Sequence, residues 1–319
     1  MKKKVTITSL FLRFFFSLLL VGSLVYKVSL SVIIETITVY PLKVVFLAVC
    51  IHLFATGVSA LRWKILLPTF SYISLLKFSF VGQFYAMILP GQITGEIAKA
   101  YRASRGSGGY GGKVTASIAV DKIIGLMGVM FVTIFGLLLT DLPEKNTWIG
   151  SIILLSLIFV TIFVFISNDY IHQKTQKLLQ KFEVRFLNFE KIFVFIKEVF
   201  EGFKQYSSNP KTLLVSLFLA VLFQALAVLI IIIFAIGLNI HIPIQNYFWI
   251  FGVVSLAVML PITVAGLGVR EGLFVYFLLQ FNVPPEQGLI LSLSVFSLQV
   301  STACIGGFLE LITFYKNRF

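Results

Sequence analysis

Charged residues interrupt two of the long apolar segments in this chain, one in each half. They are Glu96 in the first half and the adjacent Arg270 and Glu271 in the second. A charge at the centre of a bilayer costs about 2.5 to 3.5 kcal/mol on insertion scales, so these residues must line a cavity or find partners. They are therefore candidate site residues. The breaks that precede them consist of Pro90, Gly91 and Gly95 in the first segment and Pro261, Gly266 and Gly268 in the second.

The composition is that of an integral membrane protein. Of the 319 residues, 58% are hydrophobic and 12% are charged, whereas soluble domains average about 25% charged residues. The formal net charge of +13 is spread over short segments between apolar stretches. Lysine and arginine in such segments orient membrane proteins and attract anionic lipid headgroups. The basic balance therefore does not indicate nucleic acid as a partner.

Six apolar segments are long enough to cross a bilayer, for which about 20 mostly apolar residues suffice. We predict transmembrane helices at Leu10 to Ile34, Val44 to Leu61, Val114 to Thr140, Thr147 to Ile166, Thr212 to Ile236 and Gln287 to Tyr315.

Two further segments are broken. One runs from Ile73 to Leu89 and resumes at Gly95 to Arg105. The other runs from Tyr247 to Leu260 and resumes at Gly268 to Phe281. Proline removes a backbone donor and clashes with the preceding turn. Each segment is therefore expected to form a re-entrant hairpin of two helical arms.

The distribution of basic residues predicts the orientation. If the N-terminus is cytoplasmic, 21 of the 26 lysine and arginine residues lie on the cytoplasmic side, including those at residues 62–77. This bias predicts an inner (plasma) membrane protein with both termini cytoplasmic. The order span, span, hairpin, span then occurs twice with opposite orientation. The chain is thus predicted to be one all-α polytopic domain, residues 1–319, with inverted halves at about 1–140 and 147–319.

The longest polar stretch, residues 168–211, has an amphipathic helical pattern. Its apolar residues recur at steps of three and four, at Phe182, Phe186, Phe189, Phe193, Ile196, Phe200 and Phe203. This spacing predicts a helix on the cytoplasmic membrane surface with its lysines toward the lipid headgroups. The alternative is a partner-binding coiled coil.

Further charged residues are candidates for headgroup binding. Lys99 and Arg102 are three residues apart, hence on one face of a helix, where both cations can hold a phosphate. Asp121 and Lys122 begin roughly two turns into a predicted span. They either form an interfacial pair that neutralises itself or contact a headgroup or a proton beside the first hairpin.

The inverted arrangement places Glu96 and Arg270 on oppositely entering hairpins. If the hairpin tips meet at mid-membrane, Glu96 can pair with Arg270, which lowers the burial cost of both charges. An arriving phosphate can then compete for Arg270. Glu96 and Glu271 can alternatively bind a cationic part of a headgroup or a coupling proton.

The sequence indicates neither a cofactor nor a metal. Cys50 and Cys304 lie in apolar segments without a CxxC pattern or a nearby His cluster, so we predict two inert buried thiols. The Gly-rich run at residues 107–114 has Ser where a phosphate-binding loop begins with Gly and Val where it needs Ser or Thr. We therefore do not expect ATP binding there.

Taken together, these motifs resemble the flippase-like membrane domain of lysylphosphatidylglycerol synthases, a family that includes stand-alone members without the synthase. The departures from the family pattern are Thr94 and Ala265, each in place of a glycine, and Lys122 in place of arginine. The residues that carry the resemblance are Pro90, Gly91, Gly95, Glu96, Lys99, Arg102, Asp121, Lys122, Gly125, Pro261, Gly266, Leu267, Gly268, Val269, Arg270 and Glu271.

The resemblance implies a non-enzymatic lipid translocator that moves aminoacylated phosphatidylglycerol, another phospholipid or a polyprenyl-phosphate-linked molecule between leaflets. A separate lipid-modifying enzyme is then the expected partner, and phosphatidylglycerol lysyltransferase would be a family label only. One alternative is a membrane-embedded transferase of lipid-linked substrates, with Glu96 or Glu271 as general base. Another is a subunit or chaperone whose charged hairpins only lock its fold.

Overall fold

The computed structural model describes residues 41–88, 93–105, 111–141, 145–167, 201–202, 204–206, 208–260, 263 and 265–316. These residues form helices and no strands. The predicted span Leu10 to Ile34 and most of the amphipathic stretch 168–211 lie outside the described residues. The same holds for Pro90, Gly91 and Pro261 of the two breaks.

The helices follow the predicted segments closely. The largest difference is at the first described helix, which was expected to end at Leu61 but continues to Leu66 and so contains Arg62. In chain order the helices are α1 Leu42–Leu66, α2 Tyr72–Ile88, α3 Ile93–Arg105, α4 Gly111–Leu138, α5 Lys145–Ser167, α6 Pro210–Gly237, α7 Ile244–Val258, α8 Val269–Leu279 and α9 Pro285–Lys316.

Four of the described helices are long and apolar enough to cross a membrane, namely α1, α4, α6 and α9. Shorter apolar helices are formed by α2, by residues 146–158 of α5 and by α7. Large apolar side chains cover the outward faces: Phe46 is 71% exposed, Phe218 66% and Phe308 65%. Such a surface is stable in lipid and not in water. The chain is an integral membrane protein.

Helices from the two halves of the chain pack in a repeated pattern. In the first half α2 packs against α9, and in the second half α7 packs against α4. The members of each predicted hairpin pack against each other, α2 on α3 and α7 on α8, and α1 packs against α6. If the two halves are equivalent, α1 corresponds to α6, α2 to α7 and α4 to α9. The contact of α2 with α9 then corresponds to that of α7 with α4.

Glycines bring the paired helices into close backbone contact. Gly306 of α9 lies against the backbone of α2, and Gly136 of α4 lies against the backbone of α7, so neither position has room for a Cβ. Within the first hairpin, Gly82 of α2 and Gly95 of α3 approach each other in the same way. Small residues of this kind allow helices to associate in membranes. Gly95 is thus a packing residue that holds the two arms together.

The prediction that Cys50 and Cys304 are buried is wrong, because both thiols are exposed. They lie on outward faces of α1 and α9. A thiol is apolar enough to face lipid, so its position in an apolar segment does not reveal which face of the helix it occupies. In the described part of the chain, no three His, Cys, Asp or Glu residues cluster as metal ligands would.

Candidate functional site

A cavity of about 440 Å³ lies between the two halves of the chain. All helices from α1 to α9 except α5 contribute to its wall. The first turns of both second hairpin arms, α3 and α8, take part through Glu96 and Arg270. The polar residues of the lining are His52, Ser59, Arg62, Gln83, Glu96, Lys99, Asp121, Lys122, Gln224, Ser255, Arg270 and Gln299.

Most of the residues predicted as binding residues meet at this cavity. Five of the seven line it, and the described lining does not include the other two, Arg102 and Glu271. Each of these two is instead the ion-pair partner of a neighbour. The five that line the cavity are Glu96, Lys99, Asp121, Lys122 and Arg270.

The first hairpin contributes the pair Glu96 and Lys99. These residues are one turn apart on α3, and Nζ of Lys99 lies 3.1 Å from Oε2 of Glu96. The same ammonium group stands 5.6 Å from the ring centroid of Trp63, where a cation is attracted to the aromatic face. Glu96 is also in the first turn of its helix, where a carboxylate is stabilised by the helix dipole. Both charges thus have partners within the first half.

The second hairpin contributes Arg270, which is held by Glu271. The guanidinium donates from Nε and Nη2 to Oε1 of Glu271 at 3.2 and 3.0 Å, and from Nη1 to Gln299 at 3.0 Å. Glu271 is fully buried and also accepts bonds from Ser292 and from the backbone N–H of Gly268. Glu271 therefore positions Arg270 and caps the start of α8.

The predicted pairing of Glu96 with Arg270 differs from the pairs that the structure describes. Both residues line the same cavity. Each, however, pairs with a residue of its own hairpin, Lys99 or Glu271. A carboxylate one residue or one turn away satisfies each cation locally, so the hairpins do not need each other to bury their charges.

Asp121 pairs with Arg62 and not with its neighbour Lys122. The carboxylate accepts from Nε and Nη2 of Arg62 at 2.6 and 3.0 Å in a two-pronged arrangement. Arg62 is not among the predicted site residues, because the span was predicted to end at Leu61 and residues 62–77 were counted on the cytoplasmic side. The signal was present, since Trp63, Ile65 and Leu66 continue the apolar run beyond Arg62.

Arg102 lies at the join between the halves. Its Nη2 donates to Oε1 of Glu310 in α9, and the hydroxyl of Tyr85 donates to the same oxygen at 3.0 Å. Glu310 is likewise not among the predicted site residues, although it is a charged residue within the predicted span Gln287 to Tyr315, as Glu96 is within its own segment. These contacts link α2, α3 and α9.

Uncharged polar groups complete the lining. His52 lies with Nε2 3.4 Å from Oγ1 of Thr302, across the two halves. Gln224 donates to the carbonyl oxygen of Gly125 at 3.3 Å. Both contacts join helices through side chains that would otherwise be unsatisfied in an apolar surrounding.

The loop before α8 has a backbone that favours glycine. Ala265, Gly266 and Gly268 have φ values of 52°, 75° and 87°. We expect Ala265→Gly to increase the free energy of unfolding in detergent micelles by up to about 1 kcal/mol, because the Cβ of alanine disfavours this region. The matched control Ala225→Gly, in the middle of α6, should lower that free energy by about 1 kcal/mol. A loss of stability in Ala265→Gly would contradict the assigned conformation.

Comparison with known proteins identifies the family. Neither a curated protein nor a solved structure matches the chain significantly. The chain does match the family model described as the lysylphosphatidylglycerol synthase TM region, over residues 10–306. That range includes both hairpins and every cavity residue named above, in agreement with the resemblance of the motifs. The chain therefore belongs to the family of the lysylphosphatidylglycerol synthase transmembrane region.

Proposed function

We propose that this protein translocates a lipid between the two leaflets of a membrane. The lipid is a phospholipid such as aminoacyl-phosphatidylglycerol, or a polyprenyl-phosphate-linked molecule. The observation that carries this proposal is the cavity between the halves, whose wall combines four basic and two acidic side chains with an apolar surrounding. Membership of a lipid-related membrane family supports it.

The physical obstacle to lipid translocation is the polar headgroup. Moving an isolated charge to the bilayer centre costs from about 2.5 to more than 10 kcal/mol, depending on the method. A cavity with preplaced charges and amides, such as Gln83 and Gln299, replaces lost hydration of the headgroup. The acyl chains meanwhile remain in lipid. The protein thus lowers the barrier by supplying polar contacts at a depth where the bilayer supplies none.

The proposed membrane arrangement has six full spans and two re-entrant hairpins. The packing of the two arms within each hairpin supports it, as does the position of both second-arm N-termini at the cavity. Transporters commonly place substrate near the midplane at such broken helices. The proposed location is the plasma membrane, with both termini cytoplasmic, as the basic residues indicate.

Topology can be tested by cysteine labelling in a Cys50→Ser/Cys304→Ser background. Single cysteines at Lys43, Lys145 and Asn239 are expected to react with an impermeant thiol reagent from outside, whereas those at Lys177 and Lys316 are not. The background substitutions are required because both native thiols are exposed. Labelling of Lys177→Cys from outside in intact cells would reverse the proposed orientation.

We further propose that the protein is not an enzyme and that a separate enzyme makes or modifies its lipid. Glu96 and Glu271, the candidates for a general base, are engaged with Lys99 and Arg270. Arg102, once a candidate for phosphate binding, is engaged with Glu310. Acid–base transfer would require a free base beside a bound acceptor.

The test is translocation of a headgroup-labelled phosphatidylglycerol in reconstituted vesicles, followed by access of a quencher to the outer leaflet. The wild type should equilibrate the label faster than protein-free vesicles. The double variant Glu96→Gln/Lys99→Gln, which leaves the net charge unchanged, should be at least about tenfold slower, since an increase of about 1.4 kcal/mol in the barrier suffices.

Lys77→Gln is the matched control, because Lys77 is exposed and lies on α2 away from the cavity. Its rate should equal that of the wild type. If wild-type vesicles equilibrate the label no faster than protein-free vesicles for any of the three lipid classes (phosphatidylglycerol, its aminoacylated form and a polyprenyl phosphate), the proposed function is wrong.

A further inference from the structure

One nitrogen of Arg62 is a buried donor without an acceptor. Its Nε and Nη2 bind Asp121, but Nη1 is buried and has no hydrogen-bond partner among the described residues. The Arg62 side chain is only 7% exposed and lines the cavity. An unsatisfied buried donor is costly and rare, and a functional role of the group or a bound water or ion is the usual explanation for it.

Lys122 provides a second cation at the same place. It follows Asp121 directly in α4 and lines the same cavity. No ion pair or hydrogen bond engages it within the described part of the chain. It lies within electrostatic range of Glu96, Lys99, Asp121 and Arg62. An ammonium group so placed, with three donors and no acceptor, is free to bind an anion.

Gly125 packs against the guanidinium of Arg62. It lies one turn beyond Asp121 and Lys122 on α4, and a Cβ at this position would lie 3.6 Å from Nη1 and 3.5 Å from Nη2 of Arg62. The guanidinium therefore packs over the glycine at a distance that any longer side chain would close. A Cβ at this distance would be in ordinary van der Waals contact with the guanidinium, so a side chain longer than alanine would press on Nη1 and Nη2.

The charges of the lining do not balance. The cations are Arg62, Lys99, Lys122 and Arg270, whereas the carboxylates are Glu96 and Asp121, with Glu271 behind Arg270. With each side chain in its ordinary ionisation state, three ion pairs leave one cation over, and that cation is Lys122. In a surrounding of low dielectric constant, an excess charge favours a counter-ion of one opposite charge.

We propose that Nη1 of Arg62 and Nζ of Lys122 form the phosphate subsite of the cavity, and that its ligand is a phosphodiester headgroup with one net negative charge. This assignment rests on the proposed lipid translocation and specifies the substrate class. It places the phosphate between α1 and α4. Arg270 is not assigned to this subsite, because its Nε and Nη2 bind Glu271 and its Nη1 binds Gln299, which leaves no nitrogen comparable to Nη1 of Arg62. Arg102 is not assigned to it either, because the described lining does not include this residue.

The test is isothermal titration calorimetry of the purified protein in neutral detergent with dioctanoyl phosphatidylglycerol. Lys122→Gln should bind this lipid roughly 10- to 100-fold more weakly, as expected for a lost charge-assisted hydrogen bond. Arg62→Lys keeps the charge beside Asp121 but lacks the second prong and Nη1, and should also bind more weakly. Lys77→Gln, on the exposed face of α2, should bind like the wild type.

Three further ligands determine the source and the charge of the phosphate. Dioctanoylglycerol, without phosphate, should not bind, and dioctanoyl phosphatidylcholine, with no net charge, should bind more weakly than the phosphatidylglycerol. Inorganic phosphate that competes as well as the lipid would keep the subsite but overturn a lipid headgroup as its ligand. Equal affinity for the two phospholipids would overturn the charge assignment.

Lys122 is a suitable residue to replace because it has no ion-pair or hydrogen-bond partner among the described residues. The Lys122→Gln protein should therefore unfold like the wild type. Wild-type affinity in a folded Lys122→Gln protein would overturn the subsite, whereas the vesicle assay would still report translocation. Conversely, loss of affinity in Lys122→Gln together with no translocation by the wild type would overturn the proposed function and leave the subsite standing.

Discussion

Replacement of Glu271 by glutamine is expected to lower the free energy of unfolding in micelles by about 3 to 5 kcal/mol, the cost of leaving one partner of a buried ion pair alone. Glu271 is fully buried and receives donors from Arg270, Ser292 and the backbone of Gly268. Glutamine keeps one acceptor oxygen, but its NH2 group, itself a donor, would face one of the groups that now donate to Glu271. Arg270 would then be a buried cation without a counter-ion. Denaturant titration measures the loss.

The double variant Arg270→Met/Glu271→Gln distinguishes a stranded charge from a packing defect. It removes the cation along with its partner and should regain more than half of the lost stability. Glu286→Gln, at the N-terminus of α9, should change stability by less than about 1 kcal/mol. If Glu271→Gln were as stable as Glu286→Gln, the assignment of Glu271 as a structural partner would be wrong.

Asp121→Asn is expected to show a second loss of about 3 to 5 kcal/mol, and in this case lipid should restore part of it. Asparagine leaves the guanidinium of Arg62 without its carboxylate, at a position where the side chain is only 7% exposed. The cavity would then contain two cations in excess, Arg62 and Lys122. Dioctanoyl phosphatidylglycerol should therefore raise the thermal stability of this variant more than that of the wild type.

The comparison for this effect is Arg62→Met/Asp121→Asn, from which both members of the pair are gone. It should be more stable than Asp121→Asn without lipid and should gain less from added lipid. Equal stabilisation of wild type, single and double variants by the lipid would show that the anionic lipid acts elsewhere on the protein.

The order of the helices could be predicted from the sequence because membrane insertion imposes a length and a hydrophobicity on each segment. The breaks near Gly95 and Gly268 end two helices early, and the arms that follow them are short, as expected. The end of α1 was missed because charge was used to end the span. Arg62 lies just after the predicted end of the span, at Leu61, and is buried against the carboxylate of Asp121 from another helix. Sequence spacing does not show such a pairing.

The candidate site could be predicted as a set of residues but not as a set of contacts. Unusual charges in apolar segments pointed to Glu96, Lys122 and Arg270, and all three line the cavity. Their partners depend on helix rotation and on which helices pack together. The face of α9 that presents Glu310 to Arg102, for example, is fixed by the close approach of Gly306 to α2. The cost of burying a charge predicts from sequence that the charge needs a partner. Which residue becomes that partner is decided by how the helices pack.

The central claim is that the headgroup passes through the cavity between the halves, and obstruction of the cavity tests it most directly. Ala227 of α6 lines the cavity, whereas Leu229 on the same helix is 41% exposed on the outer surface. Ala227→Trp fills the space without changing any charge, and Leu229→Trp adds the same indole to the lipid face. The measurement is the rate at which labelled phosphatidylglycerol equilibrates between leaflets in reconstituted vesicles.

We expect Ala227→Trp to slow this rate by at least about tenfold, equivalent to about 1.4 kcal/mol in the barrier, and Leu229→Trp to leave it unchanged. Both variants should be folded by thermal unfolding. Equal rates for a folded Ala227→Trp protein and the wild type would contradict passage of the headgroup through the cavity.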